Sequence, residues 1–205
     1  MKQEVNFINV FTTEIWRTNT SEIDNIQLSK IILQQEETVP PVGKRYKKSS
    51  YGGWQSYEEL KDDKRFFDLW HFIDQSFYAM APHYNYKTAV FPKITGAWAN
   101  VNRQKNFNLS HTHPGAQWSG CYYLKAPLSC GTLCFKDPRS ARQMVQQPPS
   151  LFTTLVDNYS EAEHYGVVPN EGLLVLFPSW LEHFVFPNES DEPRISISFN
   201  MVVSI

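Results

Sequence analysis

The chain has 205 residues, with 19 lysines and arginines against 21 aspartates and glutamates, a formal net charge of −2. It is long enough to bury a full core without disulfides or a metal, and its 41% hydrophobic and 15% aromatic content excludes a disordered chain. The balanced charge excludes a field that would draw the whole protein to nucleic acid or an anionic membrane.

The N-terminal MKQEVNFINVF has no uninterrupted apolar segment of signal-peptide type, and the longest apolar stretch, GLLVLF at 172–177, is far below the roughly 20 residues that cross a bilayer. A cytoplasmic protein of one domain, 1–205, is expected, with a helical and loop support region over 1–87 and a β-rich core over 88–205. Two helices are expected in the support region. Ser21-Glu22-Ile23-Asp24 and Ser56-Tyr57-Glu58-Glu59 each fit the capping box, in which a Ser hydroxyl and a carboxylate three residues on satisfy free N–H groups of the first turn. In the second helix Leu60, Phe67, Trp70, Ile73, Phe77 and Met80 recur at helical intervals and mark one face that ends near Pro82. Between the helices, Pro40-Pro41-Val42-Gly43 and Ser49–Ser56 read as loops, and Lys44-Arg45-Tyr46-Lys47-Lys48 as a solvated basic loop, the alternative being an anion or polynucleotide contact. The N-terminal aromatics could serve a homodimer interface.

From about Val90 the spacing changes to short runs rich in Val, Ile, Tyr, Phe and Thr, separated by Pro, Gly and Asn. Strands are expected at 93–103, 118–125, 131–136, 151–155, 165–168, 173–177, 183–186 and 194–203. The fold class is therefore an all-β core with N-terminal helices, a double-stranded β-helix (jelly roll, cupin-like). Cys121, Cys130 and Cys134, an odd number lacking the paired spacing of zinc cysteines, are expected to be thiols.

The last strand alternates strictly. Ile195, Ile197 and Phe199 fall on one face and Arg194, Ser196, Ser198 and Asn200 on the other. If the apolar face packs under the helices, the polar face lines a ligand pocket; the alternative is a half-exposed strand with its polar face in water. Trp98, Asn100 and Asn102 alternate in the same way, and Asn100, Asn102 and Asn200 are candidates for a substrate pocket. Trp118 and Tyr122 either form its mouth or pack against the helices.

In His111-Thr112-His113 the two imidazoles project to one side of an extended chain and could share an ion, with His183 as a third ligand. Arg194, eleven residues after His183, fits a neighbouring antiparallel strand. A metal with open positions beside a guanidinium suits a dicarboxylic acid, one end on each. His71, His83 and His164 have no partner spacing.

At this point the sequence resembles the 2-oxoglutarate and Fe(II)-dependent oxygenases of the prolyl-hydroxylase-like superfamily. The resemblance rests on GGWQS at 52–56, HTHPGAQWSGCYYL at 111–124, GTLCFKDPR at 131–139, FPSWLEH at 177–183 and RISISFN at 194–200. It implies a dioxygenase that uses Fe(II), 2-oxoglutarate and O₂ to hydroxylate a substrate that the sequence does not name, with no nucleic-acid or membrane partner evident. It also implies that His111 and His183 ligate iron, that Arg194 and Ser196 hold the far carboxylate of 2-oxoglutarate, and that Tyr123 helps hold the cosubstrate. The family pattern departs at His113, where a carboxylate is expected. Three arrangements stay open: a three-His site, a two-His site with water, or a carboxylate from elsewhere, Asp137 first. A non-catalytic jelly-roll binding module and a three-His zinc hydrolase are the alternative functions; for the hydrolase, Glu182 neighbours His183 but faces the other side of the strand.

Overall fold

A computed structural model describes residues 6, 8, 10–38, 49–57, 60–84, 86, 90–139, 159–160 and 164–205. In chain order the elements are β1 (Trp16–Asn19), α1 (Asn25–Thr38), β2 (Ser50–Tyr51), β3 (Trp54–Gln55), α2 (Phe67–Met80), β4 (Phe91–Asn102), β5 (Phe107–His111), β6 (Trp118–Lys125), β7 (Leu133–Lys136), β8 (Tyr159–Ser160), β9 (His164–Val167), β10 (Leu173–Pro178), β11 (His183–Val185) and β12 (Arg194–Ser204). The strands form two antiparallel sheets, ordered β1-β10-β6-β12-β4-β3 and β2-β5-β11-β7-β9-β8. Among the described residues no helix is long and apolar enough to cross a membrane.

Alternation along β12 decides which side of the first sheet meets the helices. Ile195, Ile197 and Phe199 join Ala97, Ala99 and Val101 of β4 and Tyr122 and Leu124 of β6 in one cluster, closed from above by Leu69, Ile73, Phe77 and Met80 of α2. Phe199 lies directly over Gly120, where even a Cβ would collide with its ring. Trp118 belongs to this side: it packs edge-on against Phe77 and Tyr84, and its indole N–H donates to Tyr86 Oη at 3.1 Å. Tyr122 is buried here as well, donating to Asn25 at 2.9 Å. Both rings pack against the helices and neither forms a pocket mouth.

The helix starts differ from the sequence reading. Asp24, not Ser21, caps α1, accepting from Gln27 N at 2.9 Å. Ser56 caps no helix: its Oγ accepts from Ala99 N at 2.9 Å and its own N–H donates to Ala99 O at 3.0 Å, which ties it to β4. Residues 60–66 instead form two short 3₁₀ turns around Asp63, and this break resets the helical phase. Phe67 is therefore 67% exposed, while Phe66 and Leu69 take the buried face. Glu58 and Glu59, the basic cluster at 44–48 and the strand expected at 151–155 lie outside the described residues.

The segment read as a loop at Ser49–Ser56 holds two-residue strands, too short to show any periodicity. Ser50 and Tyr51 pair with Asn108 and Phe107 in one sheet, and Trp54 and Gln55 pair with Val101 and Asn100 in the other. The chain crosses between the sheets at Gly52, whose φ of +77° is a conformation open to glycine. The expectation that His183 and Arg194 lie on neighbouring strands fails. β11 pairs with β5 and β7, whereas β12 pairs with β4 and β6, so the loop between them changes sheets and the two residues face each other across the interior.

Candidate active site

Antiparallel pairing of β5 with β11 sets His111 directly opposite His183. His113 follows two residues later, beyond the end of β5, where its N–H donates to Ser179 O at 2.9 Å and Pro114-Gly115 turns the chain back, Gly115 with φ +91°. One ligand nitrogen from each of the three imidazoles lies within 4.8 Å of the others, and the Nε2 atoms of His113 and His183 are 3.3 Å apart. Two nitrogens bound cis to one ion at about 2.1 Å each are separated by about 3 Å, so this spacing suits a shared metal. Nδ1–H of His111 donates to Leu109 O at 2.7 Å and that of His183 to Leu181 O at 2.9 Å, which turns both Nε2 atoms inward. Burial holds the pKa of His111 below the usual imidazole range, and burial together with the neighbouring His111 pushes that of His183 down to about 3. Both rings are then neutral near pH 7, the ligating form.

The intervening residues face the other way. Glu182 accepts from Lys136 at 2.8 Å and from Ser110 at 2.6 Å on the outer surface, where it cannot act as a base toward the histidines. Asp137 is gripped by Arg139 through two bonds of 2.9 and 2.8 Å and borders a separate groove with Glu14 and His164. Among the described residues no carboxylate joins the histidine group.

Opposite the histidines stands the polar face of β12. Register places Ser198 between Trp98 and Cys121, Ser196 between Asn100 and Tyr123, and Arg194 beside Asn102. Arg194 is 2% exposed, and its Nη1 donates to Cys130 O at 2.7 Å and, more weakly, to Gly131 O at 3.4 Å. Gly131, at φ +95°, permits the close approach: a Cβ there would stand 2.8 Å from Nη1. Among the described residues no carboxylate forms an ion pair with Arg194. Burial raises the Tyr123 pKa well above the ordinary phenol range, so its hydroxyl keeps its proton. Histidines, Arg194, Ser196 and Tyr123 border one narrow cavity of about 50 Å³.

Of the candidate substrate residues, Asn100 lines this cavity, bridging Gln55 (2.8 Å) and Ser198 (3.0 Å). Asn102 sits at the Arg194 end, Trp118 is on the helix side, and Asn200 accepts from Ser119 at 2.8 Å on β6 without reaching the cavity. Sequence reasoning put Ser198 on the pocket face of the last strand, where it lines the cavity, and missed Gln55 and Cys121 as cavity residues. Alternation from Tyr123 would have found Cys121. All three cysteines are free thiols, as expected.

Residues 96–200 match the family model described as "Putative 2OG-Fe(II) oxygenase". The chain belongs to the 2OG-Fe(II) oxygenase family. It is an enzyme that uses Fe(II) and 2-oxoglutarate, together with O₂ and a substrate. Among curated proteins none matches the sequence. Among solved structures, the chain is similar to a Pseudomonas putida prolyl-4-hydroxylase, with 13% identity over 93% of each chain and a TM-score of 0.61. It is also similar to SnoK, an alpha-ketoglutarate-dependent carbocyclase of nogalamycin biosynthesis, with 11% identity over 92% of this chain and 79% of that one and a TM-score of 0.64. A third similar structure is HygX from Streptomyces hygroscopicus with nickel, 2-oxoglutarate and hygromycin B bound, with 14% identity over 93% and 83% and a TM-score of 0.57. At these identities the likeness is one of fold. The donor set of this 2OG-Fe(II) oxygenase fits the family's two groups: three imidazoles converge on one point, and a buried guanidinium faces the same cavity.

Proposed function

We propose that His111, His113 and His183 hold the iron, and that Arg194 receives the far carboxylate of 2-oxoglutarate with Ser196 and Tyr123. In this reading the two sheets are a double-stranded β-helix, a jelly roll of cupin type, with residues 88–205 as the oxygenase core and 1–87 as its support within one domain. The reaction is hydroxylation of the substrate, with release of succinate and CO₂.

One observation carries the assignment: a permanently charged guanidinium, 2% exposed and without a carboxylate partner among the described residues, faces three converging imidazoles across one cavity. An uncompensated buried charge costs several kcal/mol, which an anionic ligand offsets. A ligand held by a metal at one end and by a guanidinium at the other has two acidic ends, and 2-oxoglutarate has them.

Iron and 2-oxoglutarate, when bound, supply the oxidising chemistry. The chain's residues do the rest. The carbonyls of Leu109 and Leu181 fix the tautomers of His111 and His183. Tyr123 and Ser196 offer hydroxyl donors beside Arg194, and Phe177, Leu133 and Val185 give the cavity an apolar wall, Phe177 against His183. With His113 where the family pattern expects a carboxylate, and none among the described residues joining the histidines, the cosubstrate supplies the negative charge. Gln55, Asn100 and Trp98 form an uncharged wall for the substrate. A cavity of about 50 Å³ has room for an ion and a few waters; a five-carbon diacid enters when the side chains lining it move apart.

The test is an anaerobic titration of metal-free protein with Fe(II) and then 2-oxoglutarate, following the visible charge-transfer absorption of a chelated 2-oxo acid. The band appears in the wild type and is lost in both His111→Ala and His113→Ala. A band retained in His113→Ala removes that residue from the ligand set, and no band in iron-loaded wild type overturns the reading.

A further inference from the structure

Four buried side-chain atoms among the described residues have no hydrogen-bond partner, and three of them lie together: Nδ2 and Oδ1 of Asn102 and Oγ of Ser50. Asn102 is 1% exposed. Its main-chain carbonyl is engaged, accepting from Asn188 at 2.9 Å, yet its amide, with two donors and an acceptor, makes no bond. Such groups are rare in native proteins, because a buried donor left unmatched forfeits its hydration for nothing.

Their position is specific. Asn102 is the register partner of Arg194, and it continues the inward row of Trp98 and Asn100 on β4. Ser50 reaches the same place from the other sheet, through the short segment that crosses at Gly52-Gly53. A Cβ built on Gly53 would stand 2.7 Å from Asn102 Nδ2 and 2.9 Å from Ser50 Oγ, so the two groups converge on the α-carbon of Gly53, where no larger residue fits without displacing them.

We propose that Asn102 and Ser50 complete the pocket for the far carboxylate of 2-oxoglutarate, the amide and the hydroxyl donating to its oxygens beside the guanidinium. The inference rests on the assignment of Arg194 made above. It gives the segment 50–55 a role in binding: Ser50 supplies a donor, Gly53 lets Ser50 and Asn102 approach each other, and Gln55 reaches the substrate wall through Asn100. It also moves Asn102 from the substrate side to the cosubstrate side.

The experiment compares 2-oxoglutarate with 2-oxopentanoate, the same chain without the far carboxylate, by anaerobic calorimetry on Fe(II)-loaded protein. In Asn102→Ala, affinity for 2-oxoglutarate falls 10-fold or more, while affinities for 2-oxopentanoate and for Fe(II) stay within 2-fold. Asn102→Asp, which keeps the size and sets a like charge against the ligand, falls further. Ser50→Ala loses 3- to 5-fold, also only for the diacid, and decides the matter should the Asn102 variants fail to fold. An unchanged ratio of the two affinities in folded variants overturns the proposal and leaves these groups to a buried water. Arg194→Met is run in parallel. If it too leaves the ratio unchanged, the assignment of Arg194 fails; if it abolishes the preference while the Asn102 and Ser50 variants keep it, this inference alone fails.

Discussion

The two faces of β12 are one strand with two jobs. Toward the helices, Ile195, Ile197 and Phe199 are fully buried among apolar neighbours, and nothing there can bind a polar ligand. Toward the second sheet, Arg194, Ser196 and Ser198 are also largely buried, yet they leave a guanidinium and hydroxyls facing histidines. Burial is nearly equal and chemistry opposite, so burial alone does not tell core from site. The difference lies in what each buried group has for a partner: on one side methyls and rings, on the other imidazoles, amides and hydroxyls around a small cavity.

That contrast predicts that changes on the helix face move stability and leave ligand affinity per folded molecule alone, while changes on the cavity face do the reverse. The largest effect is expected from Phe199→Ala, which should cost about 3–5 kcal/mol in denaturant unfolding, with 2-oxoglutarate affinity of the folded fraction unchanged. Arg194→Met should lower 2-oxoglutarate affinity about 100-fold, or about 2.7 kcal/mol. Its unfolding free energy should stay within about 1 kcal/mol of wild type, because removing a buried charge also removes its desolvation cost. A large stability loss in Arg194→Met with intact affinity would erase the distinction between the faces. Gly120→Ala pushes a methyl into the Phe199 ring and should cost about 1–3 kcal/mol, again with no change in affinity.

The smallest effect sets the baseline, at a residue on neither face. Arg65 holds the Asp63 carboxyl below its ordinary pKa of 3.8 through a side-chain hydrogen bond. A carboxylate with a depressed pKa stabilises the fold above the unfolded-state value, and that contribution fades as pH falls through the folded-state value. Asp63→Asn should therefore cost under about 1 kcal/mol at pH 7, Arg65 being largely exposed, and the difference from wild type should shrink in acid melts near and below pH 3.8. A constant difference across that range would show that the pair contributes through shape, not charge.

Much of this was legible in the residues. The strands at 118–125, 173–177 and 194–203 show themselves by alternation and β-branched or aromatic content, because one face of each must be buried wherever it pairs. His111, His113 and Arg194 could be picked out because metal and carboxylate chemistry needs those side chains and few others. The helix starts were misread because Ser56 is a good cap by type, but its hydroxyl found the Ala99 N–H on β4 first. Gln55 was hidden, since two-residue strands carry no period and an amide has no signature until its partner is known.

The sequence by itself determined the periodicities, the inventory of ligating groups and the two-faced character of β12, all properties of residues close in the chain. Only the tertiary structure decided that β11 and β12 belong to different sheets, which places His183 across a cavity from Arg194 and not beside it on a neighbouring strand. It alone showed that Asp137 is held away by Arg139 and that Asn102 and Ser50 meet without partners. Pairing between strands far apart in the chain is chosen by the sum of many weak contacts, and no local pattern records that sum.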